Sequence, residues 1–360
     1  MIENYPHKVK VSVVIVNYNV KFYLEQCILS LFASNIASQL EIIVVDNNST
    51  DNSKSYFQER HYKNVRFIWN DQNVGFSKAN NQAIRICRGE YILLLNPDTF
   101  VGEHVLANVV RFMDAHQDAG AVGVKMLNGN GVFLRESKRG FPSPWTSFCK
   151  IVGLSKFFPR SKVFGRYHLL FLDENEVHEV DILCGAFMML RRKTLDKIGL
   201  LDESFFMYGE DIDLSYRVTL GGYKNYYLPE KIIHYKGEST KKDTLHYVKI
   251  FYHAMYIFFQ KYYPRTGNVY SLLVPIGIFI TAFVASTRRI LMRILRVFRK
   301  KKPLQEKIFD ARTMSYEEII NFIDKNKDKN VRSRVFSPES GMIICSSSTI
   351  KHEPSYVSSE

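Results

Sequence analysis

The sequence predicts an α/β protein: a mostly parallel sheet flanked by helices, followed by a separate C-terminal region. Three observations predict it. Apolar, largely β-branched runs alternate with helix-spaced segments over residues 11–95. The runs lack polar alternation, as strands covered on both faces do. Each run that matters ends in a polar cluster, and open α/β sheets carry ligands at the carboxyl ends of their strands.

The elements follow in order. Val11 to Val16 reads as a buried strand, and Val20 to Ala33 as a helix with Leu24, Cys27, Ile28, Leu31 and Phe32 at helical spacing. Glu41 to Val45 is a second strand, Asp51 to Arg60 a helix with Asp51 as its cap, and Val65 to Trp69 a third strand. Gly75 opens a helix to Cys87, Gly89 breaks it, and Tyr91 to Leu95 is a fourth strand. Further on, Glu103 to Ala115 reads as a helix, and Asp181 to Arg191 as a strand around Gly185. Lys193 to Ile198 is a short helix, and Asp211 to Leu220 is a helix stopped by Gly221-Gly222. Tyr223 to Leu228 and Lys231 to Tyr235 read as short strands, and Lys242 to Tyr263 as an aromatic-rich helix stopped by Pro264. Residues 303–360 show one helix, Ser315 to Lys325, before a Ser-rich end that reads as disordered.

Composition narrows the function classes. With 46% hydrophobic and 24% charged residues, the 360-residue chain is no disordered or collagen-like polymer. Its five Cys are dispersed, so a zinc ribbon or a disulfide-stapled fold is disfavoured and a reducing compartment fits. The formal charge is +13, but Arg288 to Lys302 alone holds eight basic residues and no acidic one. The basic excess is therefore local. No nucleic-acid motif accompanies it, so lipid is the simpler partner and nucleic acid is not expected. The polar strand ends contain no G-x-G-x-x-G after strand one and no G-x-x-x-x-G-K-[ST] anywhere, which disfavours a dinucleotide site and a P-loop.

Five motifs carry a resemblance. VSVVIVNYN, EIIVVDNNSTDNS, NVGFSKANN, YILLLNPDT and LLDESFFMYGEDIDLSYRVTLGGYK occur in that order between residues 9 and 240. They resemble the family 2 glycosyltransferases of GT-A type, Rossmann-like fold, and most of all the rhamnosyltransferase-like branch of bacterial surface-polysaccharide (O-antigen) synthesis. The resemblance implies a catalytic domain over 1–240, its donor half about 1–100 and its acceptor half about 101–240. It implies that Asp46 meets the base of a nucleoside-diphosphate sugar, among Asn17, Asn19, Asn48, Asn73, Gly75 and Asn96 as donor-side residues. As chemistry, a carboxylate at a strand end accepts from an imino N–H; as bland structure, Asp46 is a turn residue with an Asx bond.

Asn96-Pro97-Asp98 stands where the family has a D-x-D motif, so Asp98 is the implied metal ligand, with His234 beside it, for Mg²⁺ or Mn²⁺. Here the first Asp is Asn96 and one carboxylate remains. Hard oxygen ligands suit Mg²⁺, and an added imidazole shifts the preference toward Mn²⁺; the rival reading of His234 is purely structural. Glu210-Asp211 opens a helix after an aromatic loop, and the resemblance implies Asp211 as general base with Glu210 in support. Both acids also suit a helix start, and Asp213 reads as only that. Arg139, with Arg135 and Lys138, either meets an acceptor diphosphate or forms a solvated basic loop, and Gly185 and Ala186 either line the acceptor side or pack as small residues.

The C-terminal region points to a membrane. Residues 241–265 form the aromatic-rich helix, and 266–287 carry no charge, a span-length apolar stretch. In the basic stretch Ile290, Leu291, Ile294, Leu295 and Phe298 share one helical face opposite Arg289, Arg293, Arg296 and Lys300, as in an interfacial helix on anionic lipid. A cytoplasmic catalytic domain and cytoplasmic basic residues cannot sit on opposite sides of one span. The expectation is thus a shallow or re-entrant insertion of 266–302 on the cytoplasmic face of a bacterial inner membrane. A single span with an exported tail and a buried soluble helix are the alternatives. The N-terminal MIENYPHKVK is polar and reads as no signal peptide.

Together these readings predict an inverting hexosyltransferase that moves a sugar from a nucleoside-diphosphate donor, with dTDP-rhamnose the candidate, to a polyprenyl-diphosphate-linked or other saccharide acceptor. The rivals are a processive polysaccharide synthase, whose Q-x-x-R-W is absent since the chain's two Trp are Trp69 and Trp145, and an inactive nucleotide-sugar-binding scaffold.

Overall fold

A computed structural model of the chain describes residues 9–60, 62, 64–143, 145–146, 149, 153–236, 245–263, 305–327, 331–346 and 348–351. The first half is built as the pattern predicts. Strands β1 (Val11–Asn17), β2 (Leu40–Asp46), β3 (Val65–Trp69) and β4 (Tyr91–Leu95) alternate with helices α1 (Lys21–Phe32), α2 (Ser53–Arg60) and α3 (Phe76–Ile84). These strands pair in parallel in the order β3-β2-β1-β4. β1, β2 and β4 are buried along their whole length. Alternate side chains enter two different cores: Val13 and Ile15 pack toward α1, and Val14 and Val16 toward Ala79 and Ala83 of α3. That is why the sequence shows unbroken apolar runs. Asp51 serves both neighbours: its carboxylate accepts from Lys21 N at 3.0 Å and Ser53 N at 3.1 Å, the first amides of α1 and α2.

The second half departs from the expected parallel sheet. β5 (Thr99–Val101), α4 (Val105–Ala115), β6 (Ala119–Leu127), β7 (His178–Glu179), β8 (Phe187–Arg191), α5 (Arg192–Ile198), α6 (Glu210–Leu220) and β9 (Lys224–His234) complete it. The full order is β3-β2-β1-β4-β8-β6-β9-β5, and β8 is antiparallel to both neighbours, as β5 is to β9. The sheet is therefore mixed. Connectivity also forces it to curl. Leu95 to Thr99 spans at most about 14 Å of extended chain. A flat sheet would put β5 four strand steps from β4, about 19 Å away.

Several elements differ from the sequence reading, which has neither β5 nor β7. Asp181 to Ala186 is no regular strand: Ile182 makes only an isolated bridge with Arg139, Phe187–Arg191 alone joins the sheet, and residues 184–186 cross the site. The two short strands after Gly222 are one, β9, which passes Pro229 through a register shift opposite Val124 and Lys125. A bulge accommodates a proline that has no N–H to give the ladder. β6, in AGAVGVKML, was not anticipated, because its glycines break the apolar pattern.

After β9 comes α7 (Leu245–Tyr262), whose Ala254 and Phe258 pack on Phe205. The C-terminal region holds more than the one helix expected. β10 (Gln305–Asp310), α8 (Tyr316–Lys325), β11 (Val331–Ser337), β12 (Met342–Cys345) and β13 (Ser348–Lys351) form a four-stranded sheet with a helix on it. A capping box of Ser315 and Glu318 starts α8, and the Glu103 carboxylate from the main domain accepts from Tyr316 N at 2.8 Å and Glu317 N at 2.9 Å. Phe309, Ile320 and Ile344 of this unit share one core with Tyr23, Phe100 and Tyr235 of the catalytic half. The membrane reading of 266–302 lies outside the described residues, among which no helix is long and apolar enough to cross a membrane.

Candidate functional site

A cavity of about 460 Å³ opens where the strands end, as parallel α/β sheets require. Its wall brings together Asn96, Pro97, Asp98 and His234 with Glu210, Asp211, Arg139 and the Cys184-Gly185-Ala186 strap. Val16, Tyr18, Asn47 and Asn73 close the end below β1 and β2.

The Asp98–His234 pair is set by register. Thr99 of β5 faces His234 of β9, and Tyr235 N donates to Asp98 O at 2.9 Å. His234 Nε2 comes to 3.3 Å from Asp98 Oδ1 and 3.4 Å from Asn96 Nδ2, while His234 Nδ1 is buried without a protein partner. Both side chains are almost fully buried, at 3% and 6%. Their separation exceeds a charge-assisted hydrogen bond, about 2.7–2.9 Å. It lies close to the spacing of about 3 Å between adjacent octahedral ligands each about 2.1 Å from an ion. One carboxylate and one imidazole fit a divalent ion that takes its remaining ligands from a diphosphate. Among the described residues no three His, Cys, Asp or Glu side chains form a ready cage.

Glu210 and Asp211 are aimed by a tight turn. Tyr208 (φ 69°) and Gly209 (φ 85°) are both left-handed, and α6 begins at the next residue. A Cβ at Gly209 would also sit 3.0 Å from the Phe205 ring. Asp211 Oδ2 accepts from Arg139 Nη2 at 2.5 Å and Gly185 N at 3.4 Å, and Oδ1 from Ile212 N at 2.9 Å. Burial works against the Arg139 charge, but the Asp211 carboxylate more than offsets this and holds the guanidinium above its usual value. Glu210 differs from its neighbour. It is 7% exposed and its Oε2 has no partner. Burial, then the charge of Asp211, pushes its carboxyl up to about 8.

The strap at 184–186 ties the two acid pairs together, since Asn96 N donates to Ala186 O at 3.0 Å while Gly185 N reaches Asp211. Gly185 and Ala186 line the cavity. Arg139 also lines it, but it spends Nη2 on Asp211 and on Leu183 O at 2.7 Å. Lys138 faces away, 1% exposed, donating to Leu169 O and Leu172 O. Neither side chain is part of a solvated loop. Asp213 is more than a helix-start acid: fully buried, it accepts from Arg217 Nε (2.8 Å), Lys261 Nζ (2.7 Å) and Tyr262 OH (2.6 Å), which fastens α7 to α6.

On the donor side the structure redistributes the expected residues. Asn73 and Asn96 line the cavity, whereas Asn17, Asn19, Asp46, Asn48 and Gly75 do not. Asp46 accepts from Asn17 Nδ2 at 2.7 Å and Ser49 N at 2.9 Å, so its carboxylate shapes the turn after β2. Asn19 holds the same turn, its Oδ1 accepting from Thr50 N at 2.6 Å, and Asn48 is exposed in the left-handed region (φ 65°). Gly75 (φ 89°) lies against the aromatic loop, where a Cβ would meet Phe206 O at 2.8 Å. Tyr18, Asn47, Tyr167, His168, Tyr208 and Phe251 are cavity residues that the sequence reading did not single out. Tyr18 and Asn47 were legible, each lying next to a residue that was named.

Comparison with known proteins agrees with this geometry. The profile described as Glycosyl transferase family 2 matches residues 12–199. The chain is 28% identical over 260 residues to the N-acetylglucosaminyl-diphospho-decaprenol L-rhamnosyltransferase of Mycobacterium tuberculosis, covering 68% of this chain and 82% of that protein. It is 27% identical over 244 residues to the rhamnosyltransferase WbbL of Escherichia coli, covering 64% and 85%. In fold it is similar to the mannosyltransferase PcManGT of Pyrobaculum calidifontis, solved with GDP-Man and Mn²⁺ (TM-score 0.51, 18% identity, 90% of this chain and 88% of that one). The chain belongs to glycosyl transferase family 2 and is similar to rhamnosyltransferases of that kind.

Proposed function

We propose that the chain transfers a hexosyl unit, with rhamnosyl from dTDP-rhamnose the first candidate, to a saccharide carried on a polyprenyl diphosphate, with inversion at the anomeric carbon. One observation carries the reading: a single cavity is lined by both the Asp98–His234 pair and the Glu210–Asp211 pair. The printed activity of the mycobacterial relative supports the acceptor class.

Asp98 and His234 would hold a divalent ion, Mg²⁺ or Mn²⁺, which when bound offsets the charge developing on the departing diphosphate. The Mn²⁺ in the PcManGT structure supports this assignment. Tyr18, Asn47 and Asn73 receive the nucleotide end, on the turn that Asp46 shapes. Asp211, held by Arg139 and Gly185, takes the acceptor hydroxyl proton as that oxygen bonds to the anomeric carbon and the bond to the diphosphate oxygen breaks. Attack from the face opposite the diphosphate inverts configuration. A second reading makes Glu210 the proton acceptor, favoured by its unpartnered Oε2 and by its raised proton affinity. The protein works at the cytoplasmic face of a bacterial inner membrane, attached through residues 266–302 to anionic lipid.

The test is turnover of a donor panel with a polyprenyl-diphosphate-linked N-acetylglucosamine acceptor, product stereochemistry being read by NMR. Asp211→Asn should abolish transfer while nucleotide binding, followed calorimetrically, persists. An unchanged rate removes Asp211 as the base.

A further inference from the structure

Between Ser137 and Asp173 the chain carries seven basic residues and no acidic one. Two of them, Lys138 and Arg139, are consumed inside the protein. Arg160, Lys162 and Arg166 are exposed. The same segment shows large apolar side chains to water: Phe157 is 78% exposed, Val163 55%, Phe158 53% and Trp145 51%. Trp145 and Phe158 form a patch with Phe164, their rings lying 6.3 and 5.7 Å from its ring, and Phe157 and Val163 adjoin it in sequence. Scattered exposed hydrophobics need no explanation, but a contiguous aromatic patch among cations does.

The chemistry of the patch selects its occupant. Exposed Trp and Phe in a segment that carries Lys and Arg and no carboxylate match the headgroup region of an anionic leaflet, where rings sit at the acyl boundary and cations meet phosphates. A protein partner would leave this many unpaired cations to be met by its own acids. Placement agrees: the segment runs directly into Tyr167 and His168 on the cavity wall, and Gly140 N ties Tyr167 O to the catalytic half at 3.1 Å.

We infer that Trp145 and residues 157–166 are a membrane-docking surface separate from 266–302, which seats Trp145, Phe157 and Phe158 in the headgroup layer and brings the cavity mouth to the lipid. Its purpose follows from the lipid-linked acceptor proposed above, but its existence rests on exposure and charge alone.

Trp145 is its own reporter. The only other Trp, Trp69, stacks on Phe67 in β3, so a full-length Trp69→Phe protein emits from Trp145 alone. Vesicles of phosphatidylcholine with phosphatidylglycerol should shift that emission to the blue, and brominated acyl chains should quench it. Phosphatidylcholine alone should do so weakly. Arg160→Glu with Lys162→Glu should weaken the response roughly tenfold or more, at about 1 kcal/mol for each cation near an anionic surface. Phe157→Ser with Phe158→Ser should reduce quenching, and should slow transfer to a vesicle-borne acceptor while sparing a short water-soluble one. Vesicle binding with unaltered Trp145 emission overturns the proposal and leaves attachment to other residues. Emission already blue and concentration-dependent without lipid also overturns it, in favour of a protein interface. If the glycosyltransferase reading fails instead, no acceptor is glycosylated and the emission response remains.

Discussion

The two halves of the catalytic sheet hold their rim residues by different means. In the N-terminal half, which we propose meets the donor, neutral amides supply the hydrogen bonds, including the one to the Asp46 carboxylate. Asn17 binds Asp46, Ser49 and Ser53; Asn47 binds Asn73; and Asn70 exchanges bonds with Gln82. In the second half, which we propose meets the acceptor, the work is done by charge, through Arg139 with Asp211, Arg217 and Lys261 with Asp213, and Lys236 with Glu136. A net hydrogen bond contributes about 1 kcal/mol, so a neutral network loses stability in small steps. Removing one partner of a buried ion pair costs about 3–5 kcal/mol, because the other charge stays behind. The donor rim should therefore tolerate substitution, and the acceptor rim should not.

Asp211→Asn should give the largest effect. A lost general base lowers the rate by about 10²–10⁴-fold, and the amide also leaves Arg139 buried without its countercharge. kcat should fall with little change in donor affinity; equal losses in both would mean that the damage is structural. Asp213→Ala comes next, and it touches no substrate. Arg217 and Lys261 keep 16% and 34% side-chain exposure, so water moderates the loss, and about 3 kcal/mol is expected from urea denaturation. A loss below about 1 kcal/mol would mean that the donor and acceptor halves do not differ in this way.

How much of this the sequence reveals also divides at the sheet's middle. β4 matches the residues read from the pattern, because a strand with both faces covered leaves an unbroken apolar run; β3, an edge strand with Arg66 exposed, matches through its β-branched and aromatic residues. β6 carries two glycines, and β9 contains a proline inside a bulge, and both defeat a reading by periodicity. Asp98, Glu210 and Asp211 were legible as motifs, and so was the small-residue strap. The Arg139–Asp211 pair was not, since the partners lie 72 positions apart and only the fold brings them together. Asp46 shows the reverse case: the strand-end carboxylate was found, but its orientation depends on Asn17 of a neighbouring strand. The strands at 305–351 escaped because short, polar, half-exposed runs carry little period-2 signal.

Glu210→Gln separates the two candidate bases and should have an intermediate effect. Glutamine imitates the protonated acid. If Asp211 is the base and Glu210 stays protonated beside it, the variant keeps most of its activity. If Glu210 must ionise, wild-type kcat climbs with pH toward about 8, where its carboxyl titrates, and the variant is inactive at every pH. Stability gives an independent reading. The native carboxyl binds its proton more tightly than the unfolded one, so wild-type stability falls as pH rises from the ordinary glutamate value toward about 8. The variant should lose that slope, and thermal melts at pH 5 and pH 8 would reveal it.

Asn73→Ala probes the neutral side of the comparison and should be the mildest change. Asn73 Oδ1 accepts from Asn47 Nδ2 at 2.9 Å and Gly75 N at 3.0 Å. Asn47 retains a bond from the same amide to Gly75 O at 3.3 Å, so the network loosens without stranding a charge. A stability loss of about 1 kcal/mol is expected. Because Asn47 and Asn73 both line the cavity, the functional cost should fall on donor KM, with a rise of several-fold, and leave kcat nearly untouched. A fall in kcat comparable with that of Asp211→Asn would erase the distinction, because a neutral rim residue would then be acting on the transition state and not only on the bound donor.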